Sequence, residues 1–164
     1  ELATRRLIDD GCRRILCLRS NSRMRMPANK RTDAYLDVVE QAGLSALVRE
    51  VEFVKPDDEK GAVVAKILDE NPDIDGIFAG DDTMAAICLN VMKQRGLSTP
   101  DDIKVVGADG ARRTMTFMPD LTTVRQDIDR IGELAAQSII ALINGDNPES
   151  NIKLPVELIE GKTA

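Results

Sequence analysis

The 164-residue sequence contains no histidine and no tryptophan, and aromatic residues make up only 2% of it. Without histidine, a serine or cysteine nucleophile has no imidazole base, and the common zinc ligand sets are incomplete. The serines lie in no GxSxG motif, and neither a GxGxxG nor a GxxxxGK loop is present to bind a nucleotide phosphate. The sequence therefore gives little support to nucleophilic catalysis, a zinc site or a glycine-rich phosphate loop, and we expect neither an enzyme nor a bound cofactor.

Cysteines and long apolar runs are also scarce. Cys12, Cys17 and Cys88 are odd in number and form no CxxC motif, which disfavours both disulfides and a cysteine metal site. We expect reduced thiols and a cytoplasmic location. No apolar run approaches the roughly 18 residues of a membrane span, and no leader pattern is visible. Because "ELATRRLIDDG" already has a helical pattern at Glu1, we expect the chain to be part of a longer protein.

The formal net charge of -6 is unevenly distributed, because lysine and arginine crowd the first 31 positions and the remainder is acidic. A basic segment can contact nucleic acid. Here, however, no aromatic residues are interleaved with the basic ones, and no helix-turn-helix pattern is visible. We expect a solvated or anion-facing surface rather than a DNA contact.

Short apolar strands, polar loops and amphipathic helices alternate along the chain, which is the pattern of a parallel sheet covered by helices. This predicts an α/β fold with a doubly wound, mostly parallel sheet flanked by helices. Pro155 predicts an edge position or a bulge for the last strand. The predicted strands are 14–18, 46–54, 74–79, 103–107 and 152–159, and the predicted helices are 1–11, 30–42, 57–71, 82–96 and 127–143.

Ligands of open parallel sheets bind beyond the carboxyl ends of the strands. Asp81 and Asp82 follow the third of these strands and begin a helix, so at least one of them is expected to cap it, and one of them can also contact a ligand. Asp109 follows "VVG" and is either a turn residue or an acceptor for ligand hydroxyls. Arg31 is either an exposed surface residue or a guanidinium that reaches over the cleft.

A magnesium-dependent enzyme that uses Asp81, Asp82 and Asp109 is an alternative from a different functional class. The first loop, "RSNS", lacks the carboxylates that such folds place there. No convincing lysine stands at the end of a later strand. We therefore keep this alternative only as a minor hypothesis.

Several segments together resemble the LacI/GalR family of bacterial transcription regulators, and the resemblance covers almost the whole chain. They are "ELATRRLIDDGCRRILCL", "DGIFAGDDTMA", "GLSTPDDIKVVGADG", "PDLTTVRQDIDRIGELA" and "LPVELIEGKT". The resemblance implies a ligand domain like that of periplasmic sugar-binding proteins, with two lobes and an effector in the cleft between them. It implies that residues 1–164 are a partial effector-binding domain, truncated at the N-terminus, with residues 12–126 and 152–164 in the C-terminal lobe. Residues 1–11 and 127–145 would be helices of the N-terminal lobe.

The resemblance also implies an effector site. Arg31 matches the effector-binding arginine, Asp109 matches the ligand-binding aspartate, and Asp82 matches the aspartate of an "ND" or "SD" pair. Asp81 occupies the neighbouring position, whose side chain commonly faces the ligand. Ser20 in the first loop and Ile128, which stands where an aromatic residue is common, complete the expected site. No metal is expected in it.

This sequence departs from the family pattern at several positions. The scarcity of aromatic residues, 2% of the chain, weakens a stacking platform for a neutral sugar. It leaves room for a phosphorylated sugar, with loop arginines as its partners. The departures are Ala34 for a frequent glycine, Ala108 and Ile128 for aromatic residues, and Gly110 for a second aspartate; the loop arginines are Arg19, Arg23 and Arg25.

The function implied by the resemblance is that of a repressor, active as a homodimer. A sugar or sugar phosphate would favour one arrangement of the lobes and so alter the binding of operator DNA by a headpiece outside this chain. A periplasmic-type sugar receptor that feeds a transporter is the alternative, since it shares the fold and the cleft. Such a receptor would carry a signal peptide where the regulator carries a headpiece.

Overall fold

A computed structural model describes residues 1–21, 28–52 and 54–164. The chain forms one six-stranded sheet in the order β2-β1-β3-β4-β5-β6. Its first five strands are parallel and β6 is antiparallel to β5. The elements in order are α1 Leu2–Asp9, β1 Ile15–Asn21, α2 Ala28–Gln41, β2 Leu47–Glu52, α3 Asp57–Glu70, β3 Gly76–Ala79, α4 Asp82–Gln94, β4 Lys104–Asp109, α5 Arg112–Phe117, β5 Thr122–Gln126, α6 Ile128–Ile143 and β6 Val156–Ile159.

Both faces of the sheet are covered, as successive residues of the buried strands show. Leu16 and Leu18 of β1 belong to the apolar cluster that contains residues of α3 and α4. Ile15 and Cys17 belong to a second cluster with residues of α1 and α2. Because side chains alternate between the two faces of a strand, a continuous apolar strand serves both clusters. The prediction of a doubly wound, mostly parallel α/β sheet is confirmed.

Helix α1 packs as a core helix of this sheet. Leu7 is fully buried, Ala3 is almost so, and both lie in the cluster with Phe78 of β3 and Val106 of β4. Arg6 donates a hydrogen bond of 2.8 Å to the carbonyl of Ala164, which ties the helix to the end of the chain. The apolar stripe of α1 thus finds its partners on this sheet, and the assignment of residues 1–11 to a second lobe stays a prediction.

Helix α6 behaves differently, because none of its residues is buried. Ile139, Leu142 and Ile143 leave 58%, 61% and 78% of their surface exposed. An apolar helix face of this size is normally covered by another element. The assignment of residues 127–145 to a second lobe stays a prediction, and the exposure of α6 fits it.

Strand β5 was not predicted, and the boundaries of the predicted strands differ from the structure mainly at the carboxyl edge of the sheet. Strand β1 continues to Asn21 and β4 continues to Asp109, so polar residues assigned to loops are strand residues. Helix α5 was not predicted, because no residue of this short helix is buried and its sequence carries no apolar periodicity. Pro155 directly precedes β6, which is an edge strand, as its missing N–H requires.

The three cysteines are free thiols in the interior. Burial raises the pKa of Cys12 to about 11 and the pKa of Cys17 to about 12. Thiols with such pKa values carry little thiolate at neutral pH, so they act as core residues. Among the helices that the structure describes, none is long and apolar enough to cross a membrane.

Candidate functional site

Asp109 lies at the carboxyl end of β4, and side chains from two other elements hold it. Nη2 of Arg31, in the first turn of α2, donates to Oδ1 of Asp109 over 2.6 Å. Nε2 of Gln126, the last residue of β5, donates to the same oxygen over 2.8 Å. In the part of the chain that the structure describes, Oδ2 of Asp109 receives no hydrogen bond. This oxygen is therefore available to a hydroxyl donor at the open edge of the sheet.

Arg31 presents a fork of donors to this edge. Nη1 of its guanidinium donates to the carbonyl of Gly80, in the loop between β3 and α4. Its Nη2 forms the ion pair with Asp109, whose side chain is 35% exposed against 27% for Arg31. The guanidinium thus joins the ends of β3 and β4. The structure brings together Arg31 and Asp109; their binding of an effector stays a prediction.

The backbone at Asp109 adopts an unusual conformation. Its φ is +115°, a region that side chains other than glycine rarely occupy, and Gly110 follows with φ +59°. A Cβ at Gly110 would lie 2.7 Å from Cα of Arg125. The glycine in place of a second aspartate therefore has a physical reason, because the chain passes too close to β5 for a side chain.

Asp81 is the N-cap of α4, and its Oδ1 accepts a hydrogen bond of 2.8 Å from the N–H of Met84. Its Oδ2 accepts a longer bond, 3.4 Å, from the hydroxyl of Ser20 on β1. Strands β1 and β3 are neighbours in the sheet, so the two side chains meet at its carboxyl edge. Asp81 thus serves as the cap that was predicted and remains partly exposed at the same edge.

Asp82 faces the interior and is only 3% exposed. Its Oδ2 accepts a bond of 2.8 Å from the N–H of Gly110, and its Oδ1 accepts one of 2.6 Å from the hydroxyl of Thr123. Burial is the largest cause that raises its pKa above the ordinary value, against the two hydrogen bonds, which lower it. Both carboxylate oxygens thus have partners inside the protein, and the expected contact between Asp82 and an effector stays a prediction.

Ile128 is the first residue of α6 and is 52% exposed. It lines an open cavity of about 700 Å³ together with Gly110, Arg112 and Gln126. The structure therefore places Ile128 on the same cavity as Gly110, the residue that follows Asp109.

A second cavity, of about 350 Å³, lies on the α1 and α2 side of the sheet and is bordered by Arg31 and Gln126. Ala34 and Ala108 line it. Ala108 is a buried member of the core cluster on this face, so the alanine there leaves space in the cavity that Arg31 and Gln126 border.

Sequence analysis did not single out Gln126, although its amide reaches Asp109. The available signal was its position, because it ends a parallel strand next to β4. Of the loop arginines, Arg19 forms an ion pair with Glu50 across β1 and β2. Arg23 and Arg25 lie outside the described residues.

The three aspartates do not converge on one point. Asp82 is turned towards Thr123, whereas Asp81 caps α4 and Asp109 faces Arg31. Within residues 1–21, 28–52 and 54–164, no group of three or more acidic or cysteine side chains could hold a metal ion. The magnesium hypothesis thus has no support from the described geometry.

The family model and the related curated proteins point to the same domain family. The sequence pattern of the periplasmic binding protein-like domain matches residues 4–164. The sucrose operon repressor of Lactococcus lactis subsp. lactis is 33% identical over 160 residues, covering 98% of this chain and 49% of that protein. The ribose operon repressor of Halalkalibacterium halodurans is 31% identical over 163 residues, covering 99% of this chain and 48% of that protein. The chain thus spans about half the length of the curated relatives it matches.

The similar solved structures are also transcriptional regulators. A complex of the transcriptional regulator CelR with cellobiose superposes with a TM-score of 0.87 and 29% identity, covering 99% of this chain and 50% of that one. A LacI-family regulatory protein from Corynebacterium glutamicum superposes with a TM-score of 0.86 and 26% identity, covering 98% and 61%. The chain belongs to the periplasmic binding protein-like domain family, in the form that occurs in LacI-family transcriptional regulators.

Proposed function

We propose that the carboxyl edge of this sheet is one wall of an effector-binding cleft in a LacI-type repressor. The observation that carries the proposal is the arrangement at Asp109. Oδ1 is held by Arg31 and Gln126, while Oδ2 accepts no hydrogen bond from the described residues and the side chain is 35% exposed. A carboxylate fixed in this way is a preorganised acceptor for a hydroxyl group.

The chemistry of the edge suits a small hydroxylated molecule. Asp109 and Asp81 supply acceptors, and Arg31, Gln126 and Ser20 supply donors. A hydrogen bond to a charged group contributes about 1.5–3 kcal/mol, so a few such bonds give useful affinity. The names of related proteins mention sucrose and ribose, and one solved relative holds cellobiose. We therefore propose a sugar or a sugar phosphate as the effector.

The regulatory step needs more than this chain. Operator DNA would be bound by a headpiece outside residues 1–164, in a cytoplasmic homodimer whose two-lobed domains open and close. The effector changes DNA binding only if it binds one arrangement of the lobes more tightly. Each tenfold preference contributes about 1.4 kcal/mol to the shift. A transport receptor is the less favoured alternative, because the related curated proteins cited above are repressors.

The test uses the complete protein encoded by the gene. Sucrose, ribose, cellobiose and glucose 6-phosphate are titrated calorimetrically, and binding to upstream DNA of its own operon is measured with and without each sugar. We expect at least one of them to bind and to change the affinity for DNA. Binding of a sugar by a protein with a cleavable leader and no headpiece would instead establish the transport receptor.

A matched pair of variants tests the site itself. Asp109→Ala removes the proposed acceptor, and we expect at least about tenfold weaker sugar binding. Asp120→Ala is the control, because Asp120 is an exposed aspartate just before β5, paired with Lys162 over 2.9 Å at the opposite edge of the sheet. Equal effects of the two substitutions would refute the assignment of the cleft.

A further inference from the structure

We propose that Asp82 is a positioning residue, whose buried carboxylate holds the Asp109–Gly110 peptide in the conformation that aims Asp109 at the cleft. This inference rests on the proposed function for its consequence in binding. The contacts that support it join α4, the end of β4 and β5. Asp82 itself is only 3% exposed, so a ligand at the open edge does not reach its carboxylate directly.

Asp82 holds the peptide group after Asp109 through a hydrogen bond from Gly110. The N–H of Gly110 belongs to the peptide group that directly follows Asp109, and it donates to Oδ2 of Asp82 over 2.8 Å. A hydrogen bond to this N–H fixes the orientation of that peptide plane. Asp109 has a φ of +115°, which is rarely populated and persists only when its surroundings hold it. The bond from Asp82 supplies that restraint from beneath.

Asp82 is itself held in place by Thr123 and by the space at Gly107. Its Oδ1 accepts the Thr123 hydroxyl over 2.6 Å. Thr123 is paired in register with Gly107. A Cβ at Gly107 would lie 2.6 Å from Oδ1 of Asp82, so the missing side chain makes the space that the carboxylate occupies. The carboxylate is thereby fixed between β4 and β5.

The fixed peptide orients the side chain of Asp109 at the carboxyl edge of the sheet. With the peptide after it fixed, Asp109 directs Oδ1 to both Arg31 and Gln126. These two donors come from α2 and β5. Asp82 therefore acts on a ligand only through Asp109. A general loss of stability would act on all parts of the edge alike. A role of Asp82 in positioning Asp109 can therefore be separated by experiment from a role in overall stability.

Three variants of the complete protein separate them. Asp82→Ala removes both bonds, and we expect about tenfold weaker binding of whichever of sucrose, ribose and cellobiose the wild type binds. Asp82→Asn keeps an acceptor for Gly110, and its amide N–H₂ can donate to the Thr123 hydroxyl oxygen, so binding should recover to within about threefold. Thr123→Val removes one bond to the same carboxylate but leaves Gly110 held, so affinity should change by less than about threefold.

A double-mutant cycle with Asp109→Ala tests whether Asp82 acts through Asp109. In the Asp109→Ala background we expect Asp82→Ala to weaken sugar binding no further, because the group that it positions is absent. Losses that multiply in the double variant would overturn the proposal. So would a Thr123→Val variant that loses as much affinity as Asp82→Ala.

Crystal structures of the variants give a readout that needs no ligand. We expect Asp109 to leave positive φ in Asp82→Ala and to keep it in Asp82→Asn. A φ that stays near its original value in Asp82→Ala overturns the proposal even if no sugar binds. Failure of every sugar to bind the wild type counts against the proposed function alone. Should Asp82→Ala not fold, Asp82→Ser replaces it, because serine is tolerated at a helix start but is too short to reach Gly110.

Discussion

The guanidinium of Arg31 lies 2.6 Å from Oδ1 of Asp109, although 78 residues separate them in the chain. An arginine in the first turn of a helix meets the positive end of the helix dipole, which disfavours it. Asp109 and the Gly80 carbonyl offset this cost, since both accept hydrogen bonds from the guanidinium. A ligand at this edge therefore meets a neutralised pair with fixed directions of donation and acceptance.

Arg31→Lys tests the importance of that geometry. Lysine keeps the charge but has no planar fork, so it cannot donate to Gly80 and Asp109 in the same way. We expect about tenfold weaker sugar binding, measured by calorimetry. The free energy of unfolding should change by less than about 1 kcal/mol, because partly exposed ion pairs contribute little. Arg130→Lys, at an exposed pair with Glu133 on α6, is the control, and an equally large loss there would contradict the prediction.

The pKa of Asp82 predicts a pH dependence of stability. Burial raises this pKa above the ordinary value of 3.8, so the folded state holds the proton more tightly than the unfolded state. The stability that protonation contributes is fully present below pH 3.8 and is lost as the pH rises through the folded pKa.

Urea unfolding of the wild type and of Asp82→Asn across about pH 3.5–6 measures this effect. We expect the free energy of unfolding of the wild type, relative to the variant, to fall as the pH rises. Contributions from exposed carboxylates such as Asp69 and Asp102, whose pKa values are lowered by their hydrogen-bond partners, cancel in the difference. A difference that rises with pH would contradict the assignment.

Gly107→Ala should destabilise the chain by about 1–3 kcal/mol, because the new methyl group collides with a carboxylate that cannot move. The nearest atoms to such a Cβ are Oδ1 of Asp82 at 2.6 Å and the Leu121 and Thr123 side chains at 3.3 Å. Thermal or urea unfolding measures the change. Gly61→Ala in α3 is the matched control, since its Cβ would meet only Val91 at 3.5 Å. We expect that substitution to stabilise by about 0.4–1 kcal/mol.

Tyr35→Phe should cost about 1–3 kcal/mol of unfolding free energy, because a buried N–H loses its partner. The Tyr35 hydroxyl accepts from the N–H of Leu47 over 2.9 Å and donates to the carbonyl of Ile15 over 2.7 Å. It thus bridges β1 and β2. Circular dichroism during urea unfolding gives the value. Thr116→Val removes an exposed hydroxyl bond within α5 and should change stability by less than about 0.5 kcal/mol.

Most of the fold could be predicted, because every strand except β5 and every helix except α5 was recognised from a local pattern. The run "RILCL" shows β1, and the spacing of Met84, Ile87, Cys88 and Val91 shows α4, since these patterns come directly from alternation and helical period. Helix α5 could not be predicted in the same way. It buries none of its residues, so no apolar periodicity records it.

The site was predictable in part for a similar reason. Asp81, Asp109 and Arg31 stand at element ends, and a parallel sheet brings such ends to one edge. The inward turn of Asp82 depends on space left by Gly107 on another strand, and the contact of Gln126 depends on the register of β5 against β4. Long-range placements of this kind have no local signature in the chain.

Tyr35 has a practical consequence for spectroscopy. The chain has one tyrosine and no tryptophan, and that tyrosine is fully buried between α2, β1 and β2. Near-ultraviolet absorbance and intrinsic fluorescence of these 164 residues therefore come mainly from a single chromophore with a defined hydrogen-bond environment. A change in its emission reports the local separation of β1 from β2. Comparison with a backbone signal shows whether the outermost strand, β2, separates before the rest of the sheet unfolds.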